Sequence, residues 1–155
     1  MIIRRAEKKD IDGINKLLRQ VLDIHHSGRP DIFKSGAKKY TDDELEEIMR
    51  DDTRPIFIVI EGERVVGYAF CAFVQHNDDN ILTDIRTLYI DDLCVDEFER
   101  GKHIGSELYS FVHDFARVSG CYNITLNVWS CNESAYKFYE KCGFLPQKTV
   151  MEKIL

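Results

Sequence analysis

The sequence predicts one α/β (α+β) domain over residues 1–155, with about four helices and a mixed, mostly antiparallel sheet of six to seven strands. Three observations support this class. A chain of 155 residues can close one compact core without a metal or disulfides. Its first half holds strand-forming runs separated by polar turns, which are typical of antiparallel hairpins. Its second half alternates strands with amphipathic helices, which indicates parallel connections.

The first third of the chain predicts a strand followed by two helices. Ile2–Arg5 is the first strand. Apolar residues that recur at intervals of three and four predict a helix from Lys9 to about His25. Thr41 and Glu44 have the spacing of a capping box, so a second helix is expected to begin there.

Three strands come next in the prediction. Ile56–Ile60 and Val65–Val74 flank the polar turn Glu61–Glu63, which makes them a hairpin. A third strand follows another polar turn and ends at Ile90–Val95. The middle of the chain should therefore form the antiparallel part of the sheet.

The last third predicts two helices and the remaining strands. A third helix with one apolar face follows Val95, and Ile124–Trp129 is the next strand. A fourth helix lies between Asn132, a good N-cap, and Gly143. The list of strands ends with Thr149–Leu155, and one more at Phe144 would raise the count to seven.

Composition excludes several classes of protein. The formal net charge of −6 favours a cationic partner over nucleic acid or an anionic membrane surface. The apolar runs are far shorter than the roughly 18 residues of a membrane span, and no apolar signal segment opens the chain, so a cytoplasmic location is expected. The five cysteines form no Cys-x-x-Cys pair and are odd in number, which favours reduced thiols over a zinc site or disulfides. We expect no metal.

The most informative stretch is the connection from Val95 to Ser106, where a strand leads through a glycine-containing basic loop into a helix. The N–H groups of such a loop and of the first helical turn can converge on one anion. Arg100 and Lys102 add positive charge, and Gly101 allows a phosphate to approach the backbone. This is neither a P-loop nor a Gly-x-Gly-x-x-Gly motif. An ordinary strand-to-helix connection with a solvated loop is the alternative reading.

Two ordered motifs resemble those of the GNAT superfamily of N-acyltransferases. Arg100–Gly105 resembles the acetyl-CoA loop of that superfamily, Gln/Arg-x-x-Gly-x-Gly/Ala. The second motif is a strand ending near an asparagine, then Ala-x-x-Phe-Tyr and Gly-Phe, which Asn132, Ala135, Phe138–Tyr139 and Gly143–Phe144 match. The resemblance covers about residues 85–155. Two motifs in the same order are far more specific than either one alone. The resemblance implies a GNAT fold and acetyl-CoA as the cosubstrate.

One position departs from the pattern. His103 stands where the superfamily has its first loop glycine. A histidine tolerates a left-handed backbone less well than glycine and adds bulk beside the pyrophosphate. It could weaken coenzyme binding, or its ring could add a hydrogen-bond donor.

The resemblance also implies where the coenzyme lies. Two parallel strands splay apart and hold the pantetheine arm, one near Leu93, Cys94 and Val95 and the other near Asn127. A backbone N–H on the first strand polarises the thioester carbonyl. The pyrophosphate lies against a set of loop and helix residues that comprises Arg100, Gly101, Lys102, His103, Ile104, Gly105 and Ser106.

Two side chains of the second motif receive roles from the resemblance. Asn132 bonds to the coenzyme arm, although it could be a helix cap and nothing more. Tyr139 gives a proton to the departing coenzyme A thiolate. The alternative for Tyr139 is an aromatic residue packed on a helix face.

The amine acceptor needs a group that removes its proton. Asp91 and Asp92 end the central strand, and this segment resembles the corresponding strand of the polyamine acetyltransferase branch. We take them as candidate base and acceptor anchor. Adjacent strand residues point to opposite faces, so both can face the cleft only if the strand has a bulge. The alternative is a solvent-facing acid and an ordinary hydrogen-bonded turn.

The remaining signals bear on the acceptor. His25 and His26 end the first helix and could act there, although surface histidines favourable to the helix dipole are the simpler reading. Asn127 stands where ribosomal-protein N-terminal acetyltransferases usually carry glutamate, which disfavours a protein N-terminus as the acceptor.

The prediction is an N-acetyltransferase for a small cationic amine. Protein N-terminal or lysine acetylation, a non-catalytic acyl-CoA-binding module and a plain interaction domain are the alternatives. Homodimers are common in the superfamily, so a homodimer is one expected state.

Overall fold

The computed structural model describes residues 1–155 and contains five β-strands and four α-helices. Two short 3₁₀ turns, Lys8–Asp10 and Glu97–Glu99, precede α1 and α3. In chain order the elements are β1 (Ile2–Arg5), α1 (Ile11–Gly28), α2 (Asp42–Arg50), β2 (Ile56–Glu61), β3 (Arg64–Val74), β4 (Thr87–Val95), α3 (Ile104–Val118), β5 (Asn123–Leu126) and α4 (Glu133–Lys141). No helix is both long and apolar enough to cross a membrane.

The strands form one mixed sheet in the order β1-β2-β3-β4-β5. All neighbours are antiparallel except β4 and β5, which run parallel. Their pairing begins at Thr87 opposite Asn123 and ends at Ile90 opposite Leu126. Beyond that point β4 continues from Asp91 to Val95 with no partner on this side. The predicted splayed pair of parallel strands is therefore present.

Helices cover both faces of the sheet. On one face α1 and α2 pack their apolar stripes on β2 and β3, with Ile14, Leu17 and Leu45 fully buried. On the other face α3 packs Leu108 and Val112 against the sheet. These three helices thus each bury an apolar stripe against the sheet. The predicted capping box opens α2, because the Thr41 hydroxyl accepts from the Glu44 N–H at 3.2 Å and the Glu44 carboxylate accepts from the Thr41 N–H at 2.7 Å.

The strand count of six to seven was wrong, because no strand forms at Phe144 or at Thr149–Leu155. After Gly143 the ring of Phe144 packs on Tyr109 and Tyr139, with centroids 5.5 and 5.6 Å away. Residues 145–155 then run outside the sheet and join no ladder. A strand needs a partner for its backbone groups, and this segment has none in its own chain.

β5 is also shorter than predicted. It spans Asn123–Leu126 rather than Ile124–Trp129. The reason is the divergence from β4, which leaves residues beyond Leu126 without a hydrogen-bonding neighbour. The same divergence opens a groove between the two strands.

Candidate functional site

A long groove opens between the diverging ends of β4 and β5; we call it the cleft. Its volume is about 2950 Å³, well above the roughly 300–1,000 Å³ of a compact small-ligand pocket. The unpaired end of β4, the loop before α3, α4 and the end of α1 all line it. The cleft therefore has room for an elongated ligand and a second molecule.

The wall formed by β4 offers backbone groups. Asp91–Val95 pairs with β3 on one edge, where Val95 lies opposite Gly67, and leaves the other edge free. The predicted residues Leu93, Cys94 and Val95 are all on this stretch. The Cys94 side chain points away into the α1 core, and burial raises the pKa of its thiol to about 12. Cys94 can thus contribute main-chain groups to the cleft but is a neutral thiol rather than a nucleophile.

The loop before α3 presents a run of unused donors. The N–H groups from Gly101 to Ser106 donate to no group of the protein, and the first bonded amide is that of Glu107, which donates to the His103 carbonyl at 3.0 Å. Gly101 and His103 both have a left-handed backbone, with φ of +82° and +63°. These two residues turn the chain into α3, so that loop and helix end form a concavity of the kind that binds anions.

His103 holds its left-handed backbone without being a glycine. Histidine is among the side chains found more often than most at positive φ, and its ring is exposed. Gly105 lies where α3 crosses α4, and an added Cβ would lie 3.4 Å from the Phe138 ring, which is ordinary contact. Alanine would therefore fit at position 105, in agreement with the Gly/Ala of the motif.

The two predicted loop cations differ in their surroundings. Lys102 donates to Glu99 at 2.5 Å, and Arg64 holds the other oxygen of the same carboxylate at 2.8 Å. The hydrogen bond to Glu99 raises the pKa of Lys102. Arg100 is exposed and makes only a long bond to the Val95 carbonyl, at 3.3 Å. Arg100 is thus the loop cation with a free guanidinium, whereas the charge of Lys102 is balanced by Glu99.

The predicted residues of the second motif lie on the wall of the cleft opposite β4. Asn132 caps α4 by accepting from the Ala135 N–H at 3.2 Å, and its amide NH₂ remains unused. Asn127 donates to the Tyr89 hydroxyl at 3.1 Å on the floor of the cleft. Tyr139 is half-buried on α4, and burial, with the nearby charge of Asp92, raises its pKa well above the ordinary value. Its hydroxyl is therefore a neutral proton donor at physiological pH.

A β-bulge decides the orientation of the two acids. Phe70 lies opposite Asp92, but the next residue, Cys71, lies opposite Ile90, so Asp91 is an extra residue in β4. The bulge removes the alternation that would send adjacent side chains to opposite faces. Both carboxylates consequently line the cleft.

Each acid has its own hydrogen-bond partners. The Tyr68 hydroxyl donates to Asp92 at 2.7 Å. The Tyr40 hydroxyl donates to Asp91 at 2.6 Å, and Lys39 donates to the same oxygen at 2.8 Å. The charge of Asp91 is thus already balanced by a cation, whereas Asp92 has no cation bonded to it and accepts from a neutral phenol.

Electrostatics separate the two acids further. Burial raises the pKa of Asp92 to about 6, while the Tyr68 hydrogen bond and the charge of Lys39 act in the opposite direction. A carboxyl with a pKa near 6 is ionised at neutral pH and still accepts a proton readily. This property suits a general base.

Aromatic rings close the end of the cleft next to the C-terminus of α1. Phe33 stacks on His25 with centroids 4.9 Å apart and meets Trp129 edge-on at 5.1 Å. The Phe33 carbonyl also lies 2.8 Å from Nδ1 of His26. Burial lowers the pKa of His25, with a smaller effect from the charge of Lys39, so its imidazole is neutral at pH 7. The loop after α1 and the loop after β5 therefore meet through this ring cluster.

Sequence reasoning missed several of these groups. Tyr68, Tyr40, Lys39 and Trp129 were not predicted as site residues. The sequence did contain a signal for Tyr68, because its hydroxyl is the polar group among the buried side chains of β3, and a buried hydroxyl needs a partner. The other three meet the site only through long-range packing, which no local pattern reveals.

Comparison with known proteins places this architecture in a family. The acetyltransferase (GNAT) family profile matches residues 18–144. A glucosamine 6-phosphate N-acetyltransferase of Arabidopsis thaliana is 30% identical over 126 residues, which are 81% of this chain and 83% of that protein. A tetramutant of the BH1408 protein from Bacillus halodurans has a TM-score of 0.95 at 29% identity over the full length of both chains. The aminoglycoside N-acetyltransferase AAC(6')-Iy, solved in complex with CoA, shares the fold, with a TM-score of 0.73 and 17% identity over 99% and 98% of the two chains.

The match to the family covers most of the chain, and residues of both motifs line the cleft. The acetyl group donor of this family is acetyl-CoA. The chain belongs to the GNAT family of acetyl-CoA-dependent N-acetyltransferases.

Proposed function

We propose that this enzyme acetylates the primary amine of a small molecule by direct attack on acetyl-CoA, with Asp92 as the base and Tyr139 as the proton donor. The observation that supports this assignment best is the bulge at Asp91, which turns both acids toward the cleft next to the free edge of β4. Asp91, held by Lys39 and Tyr40, serves as the acceptor anchor.

The residues act in a simple order. The acceptor arrives as an ammonium ion, and the Asp92 carboxylate takes one of its protons. The free amine nitrogen bonds to the thioester carbonyl carbon, and a backbone N–H of the free β4 edge stabilises the negative charge that develops on the oxygen. The carbon–sulfur bond then breaks, the Tyr139 hydroxyl protonates the thiolate, and the resulting Tyr139 phenolate takes up the second proton, which the attacking nitrogen loses. The products are an acetamide and free coenzyme A thiol, and the proton on Asp92 returns to solvent.

The pyrophosphate of acetyl-CoA would lie against the loop before α3. Its unused amides from Gly101 to Ser106 and the free guanidinium of Arg100 supply donors and charge for an anion. Asn132 has an unused NH₂ for the coenzyme arm, and Asn127 lies on the same wall. Lys102 contributes its main chain rather than its charge, which Glu99 already balances.

The acceptor side favours a small cationic amine. The Asp92 carboxylate lies in the cleft without a cation partner, and the rim cations Arg29, Lys38 and Lys39 each contact other carboxylates already. The ring cluster of Phe33 and Trp129 adds faces that attract an alkylammonium or pack against a sugar.

A phosphorylated amino sugar is the second candidate. The Arabidopsis relative is named for glucosamine 6-phosphate. Lys34 and Lys148 line the cleft, and neither forms an ion pair with a carboxylate. They could meet the phosphate of such an acceptor.

The test is release of coenzyme A thiol from acetyl-CoA across matched acceptors. The panel comprises glucosamine, glucosamine 6-phosphate, spermidine, an aminoglycoside and a lysine peptide. Preference for glucosamine over its phosphate supports the cationic amine, and the reverse supports the second candidate. Turnover of the peptide alone would contradict a small acceptor.

Variants separate catalysis from binding. Tyr139→Phe should lower turnover, whereas Tyr122→Phe, an exposed tyrosine outside the cleft, should not. Acetyl-CoA at about 100 times its Kd should stabilise the parent by roughly 2.7 kcal/mol. Stabilisation without turnover on any acceptor would favour a non-catalytic binding module, and no stabilisation would favour an interaction domain.

A further inference from the structure

One primary amine of the chain already lies where the amine of the acceptor is expected. Nζ of Lys39 is 2.8 Å from Oδ2 of Asp91, the carboxylate proposed as the acceptor anchor. The Lys39 side chain is 44% exposed and lines the cleft. Among the ion pairs that lysines form, only that of Lys39 involves an acid of β4. The chain thus presents an amine of its own at the anchor.

The neighbouring residue fixes Lys39 in this place. The Tyr40 hydroxyl donates to the same oxygen of Asp91 at 2.6 Å, and its ring stacks on the buried ring of Phe70 with centroids 5.3 Å apart. The Lys39 ammonium lies 5.5 Å from the centre of the Tyr40 ring, which is within the range of a cation–π attraction. A long side chain that would otherwise sample many rotamers is therefore held beside one carboxylate.

The charge of Lys39 also acts on two other groups of the cleft. Burial raises the pKa of Asp92, and the Tyr68 hydrogen bond and the Lys39 ammonium oppose this rise. Burial lowers the pKa of His25, and the same ammonium lowers it further. The Lys39 amine is therefore within electrostatic reach of the proposed base as well as bonded to the proposed anchor.

An amine held at this position meets the requirements of the reaction. Acetyl transfer needs a primary amine beside the thioester, and an amine that is held in place reacts far faster than a free one. We propose that, in the absence of an acceptor, the enzyme transfers the acetyl group of acetyl-CoA to its own Lys39. This proposal rests on the proposed function, because it uses the same cleft and the same proton donor, Tyr139.

The bonds and protons balance as they do for a free acceptor. The Asp91 carboxylate, which already accepts from the ammonium, takes one proton and passes it to solvent. Nζ of Lys39 bonds to the thioester carbon, and the carbon–sulfur bond breaks. The Tyr139 hydroxyl protonates the leaving thiolate, and the resulting phenolate takes the second proton from Nζ. The products are an acetylated lysine side chain and coenzyme A thiol.

The modification changes the acceptor side of the cleft. Acetylation removes the positive charge of Lys39. Asp91 then loses its cation partner and keeps the hydrogen bond from Tyr40. A carboxylate without a cation partner is available to the cation of an acceptor. Self-acetylation therefore converts Asp91 from an occupied anchor into a free one.

The test is peptide mass spectrometry of the full-length protein after incubation with acetyl-CoA and no acceptor. Lys39 should gain an acetyl group at least about tenfold faster than Lys8. Lys8 is the control within the chain, because it also pairs with a carboxylate, lies outside the cleft and has a more exposed side chain, at 76%. Chemical acetylation governed by exposure alone would favour Lys8. The rate per molecule should not change when the protein is diluted, because the reaction takes place within one chain.

Two variants show whether the modification is the enzyme's own reaction. Tyr139→Phe should slow the acetylation of Lys39 by about 10²–10⁴ and leave that of Lys8 unchanged. Lys39→Arg keeps a cation that can bond to Asp91, but its guanidinium is not acetylated. The rapid uptake of one acetyl group per chain should therefore be lost in this variant.

Turnover of the acceptor panel shows separately whether the enzyme is active. An enzyme that acetylates an acceptor but modifies Lys39 no faster than Lys8 overturns self-acetylation and leaves the proposed function standing. A rate at Lys39 that Tyr139→Phe does not alter, or that falls on dilution, also overturns it. If neither Lys39 nor any acceptor is acetylated, both proposals fail.

Discussion

Asp92→Asn should make the enzyme more stable and nearly inactive. The pKa of Asp92 rises from 3.8 to about 6 in the folded protein, mainly because of burial. The charged form is therefore disfavoured by folding. Asparagine carries no charge, and its carbonyl oxygen can still accept the Tyr68 hydroxyl that now bonds to Asp92 at 2.7 Å.

The gain in stability depends on pH in a defined direction. The folded-state pKa lies above the unfolded one, so the ionised carboxylate destabilises the fold. This destabilisation is absent below pH 3.8, grows as the pH rises to about 6, and is complete above that. A shift of about two units corresponds to about 3 kcal/mol. Because the carboxyl borders an open cleft, solvent screening reduces this, and we expect about 1–2 kcal/mol.

The assay is thermal unfolding of parent and variant at pH 8 and pH 4. A gain of about 1–2 kcal/mol should raise the Tm at pH 8 by about 2–8 °C and have little effect at pH 4. Asp23→Asn is the control, since it removes the same charge from an exposed position. A variant that is no more stable than the parent at pH 8, or equally stabilised at both pH values, refutes the reasoning about burial.

Activity provides the second half of the test. Loss of the base should lower turnover by about 10²–10⁴. In the parent, kcat/KM should fall below pH about 6 as Asp92 takes up a proton. A variant that keeps its rate within a few-fold of the parent would show that another group accepts the amine proton.

Four further outcomes are expected. Tyr68→Phe removes a bond that favours ionised Asp92, so the acidic limb of the pH–rate profile should move to higher pH. Tyr139→Phe should lower kcat by about 10²–10⁴ with the Kd for acetyl-CoA unchanged, measured by thiol release and calorimetry. His103→Val should destabilise the fold by more than about 1 kcal/mol in urea unfolding, and His103→Gly should be near neutral, because φ is +63°. Trp129→Ala should raise the acceptor KM with little change in acetyl-CoA binding, if the ring cluster contacts the acceptor.

Features that depend on neighbours in the chain could be predicted. The capping box of Thr41 and Glu44, the cap at Asn132 and the loop from Arg100 to Gly105 all formed as expected. Each depends on residues within about one helical turn of one another, so their geometry follows from local sequence. His103, which departs from the motif, has a left-handed backbone, and histidine can adopt that shape.

Features that depend on the register between strands could not be predicted from the sequence. The sequence places Asp91 beside Asp92, but only the alignment of β4 with β3 decides that Asp91 is the bulged residue. The same alignment brings Tyr68, more than twenty positions earlier, onto Asp92. The difference in pKa and partners between two adjacent acids thus arises from pairing between strands, which a pattern along one strand does not encode.

Segment 145–155 shows a third situation, in which the local prediction and the fold of one chain disagree. Its residues have the composition of a strand covered on both faces, yet the chain offers them no neighbour. The local sequence determines whether a segment favours the extended conformation. A strand forms only if a neighbouring strand can take up its backbone hydrogen bonds.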